Sequence, residues 1–129
     1  MVAVGDILRI YVPSLGKKKY HLCVCVGVGT AAHRFLFLNS EEYFDGTYVV
    51  DCTRVPCLPP SDTGKTVVSL NDIPRYNDRQ LQTLQAHRMG GLAADVAAEL
   101  IPFVRSAKVL NRADREMIVE ALTLIANCA

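Results

Sequence analysis

This sequence contains side chains of the types that transfer protons and bind phosphate groups. Displacement at a phosphate without a metal ion needs a group that takes a proton from the attacking hydroxyl, a group that stabilises the charged phosphorane and a group that protonates the leaving oxygen. His21 is the natural acid or base, because an unperturbed imidazole titrates near neutral pH. Asp72 is a second candidate, either as a base or as a group that orients a basic side chain.

Lysine, arginine, amide and hydroxyl side chains supply the candidates for holding the phosphate. They are Lys17, Lys18, Lys19 and Arg75 for charge, and Asn39, Ser40 and Ser69 for hydrogen bonds. Each assignment has an ordinary structural alternative. A lysine run is typical of a solvated hairpin tip, His21 beside a strand is typical of a satisfied structural residue, and Asp72 suits a turn.

The apolar run from Arg34 to Leu38 is the element that must position these groups. It is short and rich in aromatic and aliphatic residues, which predicts a buried central strand. The run ends abruptly in Asn39 and Ser40, so this polar pair leaves the core where the strand reaches the surface. A rigid strand end is a good mount for hydrogen-bonding groups, although the same pair also suits a simple turn.

Length and composition favour one folded domain. The chain has 129 residues, of which 50% are hydrophobic and 21% charged. Its formal net charge is +1, so any affinity for nucleic acid must come from a local basic patch. No stretch has the length of a membrane span and no signal peptide precedes the first strand, so we expect a cytoplasmic protein without membrane association.

The cysteines favour reduced thiols over a metal site or disulfides. Their number is odd, and none has the C-x-x-C spacing of a zinc site; they are Cys23, Cys25, Cys52, Cys57 and Cys128. A site that combines them with His21, His33 or His87 is the alternative. We expect no metal and no cofactor.

The hydrophobic pattern predicts an α+β fold with strands in the first half and helices in the second. Strands are expected at residues 2–12, 20–26, 34–39, 47–50 and 66–70, with Lys17 to Lys19 as a basic loop. Five short strands separated by turns favour a small closed or nearly closed barrel. Helices are expected at 78–88, closed by Gly90-Gly91, at 92–104 with a kink or end near Pro102, and after an Asn111 cap.

Four segments, in order and spacing, resemble the MazF/PemK family of toxins from bacterial toxin–antitoxin modules. They are the opening Gly5-Asp6-Ile7, the basic segment and strand 17–26, the strand 35–40 that ends in polar residues, and the segment 68–73. The resemblance covers about half of the chain. Lys19 stands where the family usually has an arginine that holds the phosphate, and Asn39 and Ser40 stand where it has a hydroxyl pair.

The resemblance implies an SH3-like barrel, which we place over residues 1–76. The hydrophobic pattern adds a helical extension over 77–129, and we expect the two to form one compact unit. The resemblance also implies a metal-independent endoribonuclease for single-stranded RNA, a homodimer and a cognate antitoxin protein. The expected catalytic residues are Lys19 and Ser40, which the resemblance indicates, and His21 and Asp72, which the chemistry of proton transfer indicates. The expected RNA-binding residues are Lys17, Lys18, Asn39, Ser69 and Arg75.

Two other interpretations remain open. The same barrel without catalysis could be a binding module that holds a protein or nucleic acid through its basic segment or its helices, and a structural or regulatory protein with no ligand is a third interpretation. The helical half carries a basic cluster of Arg105, Lys108, Arg112 and Arg115. Acidic residues lie between its members, which favours a solvated surface over a phosphate site.

Overall fold

The chain folds as an antiparallel β-sheet followed by packed helices, and the computed structural model describes residues 1–41 and 45–128. The strands are β1 (Asp6–Val12), β2 (Lys17–Cys25), β3 (His33–Asn39), β4 (Thr47–Asp51), β5 (Lys65–Ser69), β6 (Arg75–Tyr76) and β7 (His87–Gly91). The helices are α1 (Asp78–Thr83), α2 (Ala94–Arg105) and α3 (Arg112–Asn127), with a 3-10 turn at Cys52–Arg54. The predicted α+β class is therefore confirmed.

All strand pairs are antiparallel, and the sheet has the order β4-β5-β3-β2-β1-β7, with β6 pairing separately with β3. The path has two ends, so the sheet is open between β4 and β7 in the part of the chain that the structure describes. Strand β3 lies inside the sheet between β5 and β2, which agrees with the central strand predicted from its apolar run.

Strands β2 and β3 are buried on both faces. Leu22 and Leu36 belong to the larger core, together with residues of α2 and α3, whereas Cys23 and Phe35 belong to a smaller core that includes Leu81 of α1. Because successive strand residues point to opposite faces, burial on both sides requires the continuous apolar runs seen in the sequence. Helices α2 and α3 therefore cover one face of the sheet, and α1 packs against the other.

Helices α2 and α3 begin and end near the predicted positions. The Asn111 side chain accepts a hydrogen bond from the Asp114 N–H at 2.8 Å, which confirms the predicted cap. The Asp114 carboxylate lies 3.5 Å from the guanidinium of Arg34. Pro102 lies inside α2, which ends three residues later at Arg105. Within the described residues, no helix is long and apolar enough to cross a bilayer.

Two predicted elements were wrong. Lys17, Lys18 and Lys19 are not a loop but the first residues of β2, where they pair with the end of β1. The helix predicted over 78–88 ends at Thr83, and residues 87–91 form β7 instead.

Strand β7 owes its conformation to contacts that are distant in sequence. It pairs with β1, with Ile7 opposite Gly90. A Cβ atom on Gly90 would lie 2.5 Å from the Cβ of Cys57, so glycine is required there by this close approach rather than by a helix end.

Candidate functional site

The candidate site lies where β2 and β3 stop pairing. Their recorded pairing runs from Cys25 opposite Arg34 to Tyr20 opposite Leu38. Beyond that point the lysines of β2 pair with β1, while Asn39 of β3 pairs with β5. Two pockets lie at this divergence, and Lys19 and Asn39 line both of them.

The first pocket, called here the lysine pocket, has a volume of about 220 Å³. Its polar lining consists of Lys17, Lys18, Lys19, Lys65, Asn39, Ser40, Ser61 and Thr66 together with Tyr20. None of the described residues that line it is acidic. The pocket therefore combines positive charge with hydrogen-bond donors, which is the chemistry that binds a phosphate group.

Lys19 is the least exposed of the three consecutive lysines. Lys17 and Lys18 are exposed, whereas Lys19 is half-buried. Burial lowers the pKa of Lys19 below its ordinary value, and the charge of Lys17 lowers it further. A lower pKa increases the fraction of neutral amine at a given pH, so Lys19 is better suited than an exposed lysine to accept a proton.

Two hydroxyl groups fix the turn before β5, which lies at the lysine pocket. Thr63 Oγ1 donates a hydrogen bond to the backbone carbonyl of Ser40 at 2.5 Å, which ties the turn before β5 to the end of β3. Ser61 Oγ donates to the carbonyl of Lys65 at 2.7 Å within the same turn. These bonds join Ser40 and Lys65, which both line the lysine pocket, to the same turn.

The second pocket, called here the Phe37 pocket, has a volume of about 350 Å³. The half-buried ring of Phe37 and the side chain of Leu15 provide its apolar lining. Its polar lining consists of Lys19, Asn39, Glu41, Thr47, Ser69, Asn71 and Asp72. Phe37 and Ser69 are directly opposite each other in neighbouring strands, so the β3–β5 pairing itself forms this part of the pocket.

His21 lies beside the Phe37 pocket and does not line it. Its side chain is fully buried, with 0% exposure, and its ring packs against Phe37 with the two ring centroids 4.7 Å apart. Nδ1 lies 3.0 Å from the carbonyl oxygen of Lys19. Nε2 has no hydrogen-bond partner among the described atoms.

Burial also sets the charge of His21. It lowers the pKa of the imidazole to about 4, against the opposing effect of the hydrogen bond to the Lys19 carbonyl. The ring is therefore neutral at neutral pH. The ring lines neither pocket, and its burial agrees with a structural role, with one of its two nitrogens hydrogen-bonded.

The structure thus brings most of the predicted site residues together and separates two of them. Lys17, Lys18, Lys19, Asn39 and Ser40 meet in the lysine pocket, and Ser69 and Asp72 join Lys19 and Asn39 in the Phe37 pocket. Arg75 lies in β6, opposite Arg34 at the other end of β3. It is therefore remote along the strand from the polar end that carries Asn39.

Sequence reasoning missed Lys65, Ser61 and Phe37. Ser61 was predicted only as part of a turn, Lys65 lies just before the predicted strand 66–70 and received no role, and Phe37 was predicted only as part of the buried strand. The signal that could have found Lys65 is the strand pairing, since β5 runs beside β3 and brings its first residue close to the polar strand end.

The cysteines and acidic residues form no further site in the described chain. All five cysteines are free thiols. Within residues 1–41 and 45–128, no group of three or more histidine, cysteine or acidic side chains is arranged to hold a metal ion.

Comparisons of the chain with protein families, with curated proteins and with solved structures find no match. What the protein does must therefore be inferred from the two pockets themselves.

Proposed function

We propose that this chain is a toxin-like endoribonuclease that cleaves single-stranded RNA without a metal ion. One observation carries the proposal: Lys19, at the start of β2, and Ser40, just after β3, line the same lysine pocket. These are the positions at which the resemblance to the MazF/PemK family implies a phosphate-holding cation and a hydroxyl group. The two residues are distant in sequence, and their proximity supports a common role.

The charge distribution supports binding of the RNA backbone at this point. Lys17, Lys18, Lys19 and Lys65 surround the lysine pocket, although the formal net charge of the whole chain is only +1. Positive charge is therefore concentrated where Asn39 and Ser40 can donate hydrogen bonds. A phosphodiester would bind there through charge and through these donors, with a strong dependence on salt.

The proposed reaction needs no group beyond those lining the pocket. Lys17, Lys18 and Lys65 hold the phosphate. Lys19, whose pKa is lowered by burial, takes the proton from the 2′-hydroxyl in its neutral form, and the 2′-oxygen attacks the adjacent phosphorus. The remaining lysines stabilise the negative charge of the phosphorane. The protonated amine of Lys19 then supplies a proton to the leaving 5′-oxygen. The strand must be single because the attack requires a flexible backbone that can reach in-line geometry.

The proposal extends to the fold and to partners. The open sheet with its meander β1-β2-β3 is proposed to be an SH3-like barrel with a helical extension. A homodimer and a cognate antitoxin protein belong to the same proposal, and sedimentation analysis of the purified chain tests the first of these directly.

The non-catalytic binding module is the second candidate function, and the burial of His21 favours it. His21 is the predicted acid or base, but its side chain is fully enclosed and burial lowers its pKa to about 4. If Lys19 does not transfer protons, the lysine pocket would hold RNA without cleaving it. Binding without new RNA ends would distinguish this function from the first.

Induced expression in a bacterial host tests the proposed function. We compare growth and RNA integrity for the wild type, for Lys19→Ala and for Lys108→Ala, which removes an exposed lysine outside both pockets. Growth arrest with new RNA ends is expected for the wild type and for Lys108→Ala, but not for Lys19→Ala. Normal growth and intact RNA for the soluble wild type would contradict the enzymatic proposal.

A further inference from the structure

The Phe37 pocket has the composition of a site for a flat, polar-edged ring. Its volume of about 350 Å³ falls within the range of roughly 300–1,000 Å³ that is typical of small-ligand sites. The half-buried ring of Phe37 supplies an aromatic surface, and Asp72 and Ser69 supply polar groups around it. This combination resembles the aromatic platforms on which proteins stack the bases of single-stranded RNA.

Neighbouring strands hold the ring of Phe37 in place. The buried ring of His21 packs against Phe37 with a centroid distance of 4.7 Å and an interplanar angle of 46°. Phe37 is also fixed in the sheet by its position between His21 of β2 and Ser69 of β5. A base stacked on Phe37 would therefore bind to an aromatic surface whose conformation is already fixed in the free protein.

The segment that carries Asp72 is anchored on both sides. Before it, the Asn71 side chain donates a hydrogen bond from Nδ2 to the carbonyl of Asp45 at 2.6 Å. After it, the carbonyl of Pro74 accepts a hydrogen bond from the backbone N–H of Phe35 at 3.0 Å. The exposed carboxylate of Asp72 is thus presented at the pocket by a fixed backbone.

We infer that the Phe37 pocket binds a guanine base of the RNA whose phosphate occupies the lysine pocket, with Asp72 accepting its hydrogen bonds. An ionised carboxylate only accepts hydrogen bonds. Guanine presents two adjacent N–H groups on its Watson–Crick edge, N1–H and N2–H, which match the two carboxylate oxygens. Adenine and cytosine place an acceptor nitrogen beside their amino group, and that nitrogen would face the second carboxylate oxygen.

This inference rests on the proposed RNA binding. Lys19 and Asn39 connect the two pockets. Both residues line the lysine pocket and the Phe37 pocket. A nucleotide with its phosphate at Lys19 therefore has its base within reach of Phe37. The arrangement assigns Asp72 to base recognition and leaves proton transfer to Lys19.

The test measures binding of short 2′-O-methyl RNAs, which cannot be cleaved because they lack the 2′-hydroxyl. Fluorescence anisotropy compares a uridine oligomer of about twelve nucleotides, the same oligomer with one central guanosine, and one with a central inosine, which lacks the N2 amino group. The variants are Asp72→Asn and the matched control Asp62→Asn, an exposed aspartate outside both pockets. Both variants change the net charge equally.

We expect the wild type and Asp62→Asn to bind the guanosine oligomer about tenfold more tightly than the uridine oligomer, with the inosine oligomer in between. Asp72→Asn should lose this preference but still bind. Phe37→Leu, checked for folding by its thermal transition, should weaken binding of the guanosine oligomer more than that of the uridine oligomer.

Equal binding of all three oligomers by the wild type, with weaker binding by Lys19→Ala, would overturn the guanine inference and leave the proposed function standing. An equal effect of Asp72→Asn on every oligomer would also overturn it. Absence of binding to any oligomer would overturn the proposed RNA binding and the inference with it.

Discussion

The imidazole Nδ1 of His21 lies 3.0 Å from the backbone carbonyl oxygen of Lys19. Because that oxygen can only accept, Nδ1 carries the proton and donates it. The bond joins a fully buried ring to the backbone of the residue whose side chain lines both pockets. His21 therefore supports the shape of the site, and two predictions concern it.

We expect His21→Ala to destabilise the fold. The substitution leaves a cavity beside Phe35, Phe37 and Tyr76 and leaves the Lys19 carbonyl without its donor. Loss of a large buried side chain costs roughly 2–5 kcal/mol in the free energy of unfolding. Urea unfolding measures this loss, with His87→Ala as the exposed control. Equal stability of the two variants would contradict the packing role.

The lowered pKa of His21 predicts a loss of stability in acid. The imidazole has a pKa of about 4 when folded and 6.5 ordinarily, so the unfolded chain binds more protons between these values. The contribution of neutral His21 to the free energy of unfolding is complete above pH 6.5 and is lost as the pH falls to 4. Its total size is about 3 kcal/mol.

Unfolding free energies measured across this pH range check the prediction. The wild type should lose more stability on acidification than His21→Phe, in which the ring cannot titrate. Parallel pH profiles for the two proteins would show that another group causes the acid dependence.

Lysine substitutions in the lysine pocket should reduce the salt dependence of RNA binding. Each phosphate contact of a single strand contributes about 0.7 to the slope of log affinity against log salt. Lys18→Ala and Lys65→Ala should each reduce the slope by roughly that amount, whereas Lys108→Ala should leave it unchanged. Titrations with uncleavable RNA at several salt concentrations measure the slopes. Identical salt slopes for the wild type and all variants would show that the RNA does not bind in the lysine pocket.

The basic cluster of the helical half divides into structural and surface residues. Arg115 Nη2 donates to the carbonyls of Ala107 and Leu110 at 2.8 and 2.9 Å, which fixes the connection between α2 and α3. Arg112 forms an exposed pair with Glu116. We therefore expect Arg115→Lys to lower stability by about 1–2 kcal/mol, while Arg112→Lys changes it little. Thermal unfolding of both variants tests the contrast, and a larger effect at Arg112 would contradict it.

Local patterns in the sequence were sufficient for the elements whose contacts are local. The cap at Asn111 depends on a residue three positions away, and the apolar run of β3 is sufficient to predict that the strand is buried. Strand β7 was predicted as the last residues of a helix and its closing glycines, because its partner β1 lies about eighty residues earlier, a separation that no local period reveals. The contact of Gly90 with Cys57 is equally non-local.

The candidate site was predictable in part for the same reason. The polar end of β3 and the lysine run are visible as residue types, and the β2–β3 meander brings them together. The burial of His21 depends on Phe35, Phe37 and Tyr76, which come from two other strands. The participation of Lys65 depends on β5 joining the far side of β3. Such pairings are set by the fold and not by neighbouring residues.

The most direct test of the central claim is cleavage of a single-stranded RNA by the purified chain in excess metal chelator, with the product ends identified by mass spectrometry. The account predicts fragments that end in a 2′,3′-cyclic phosphate and a 5′-hydroxyl, formed by the wild type and Lys108→Ala. It predicts a rate lower by about a hundredfold or more for Lys19→Ala. Intact RNA with the wild type, or equal cleavage by Lys19→Ala, would contradict it.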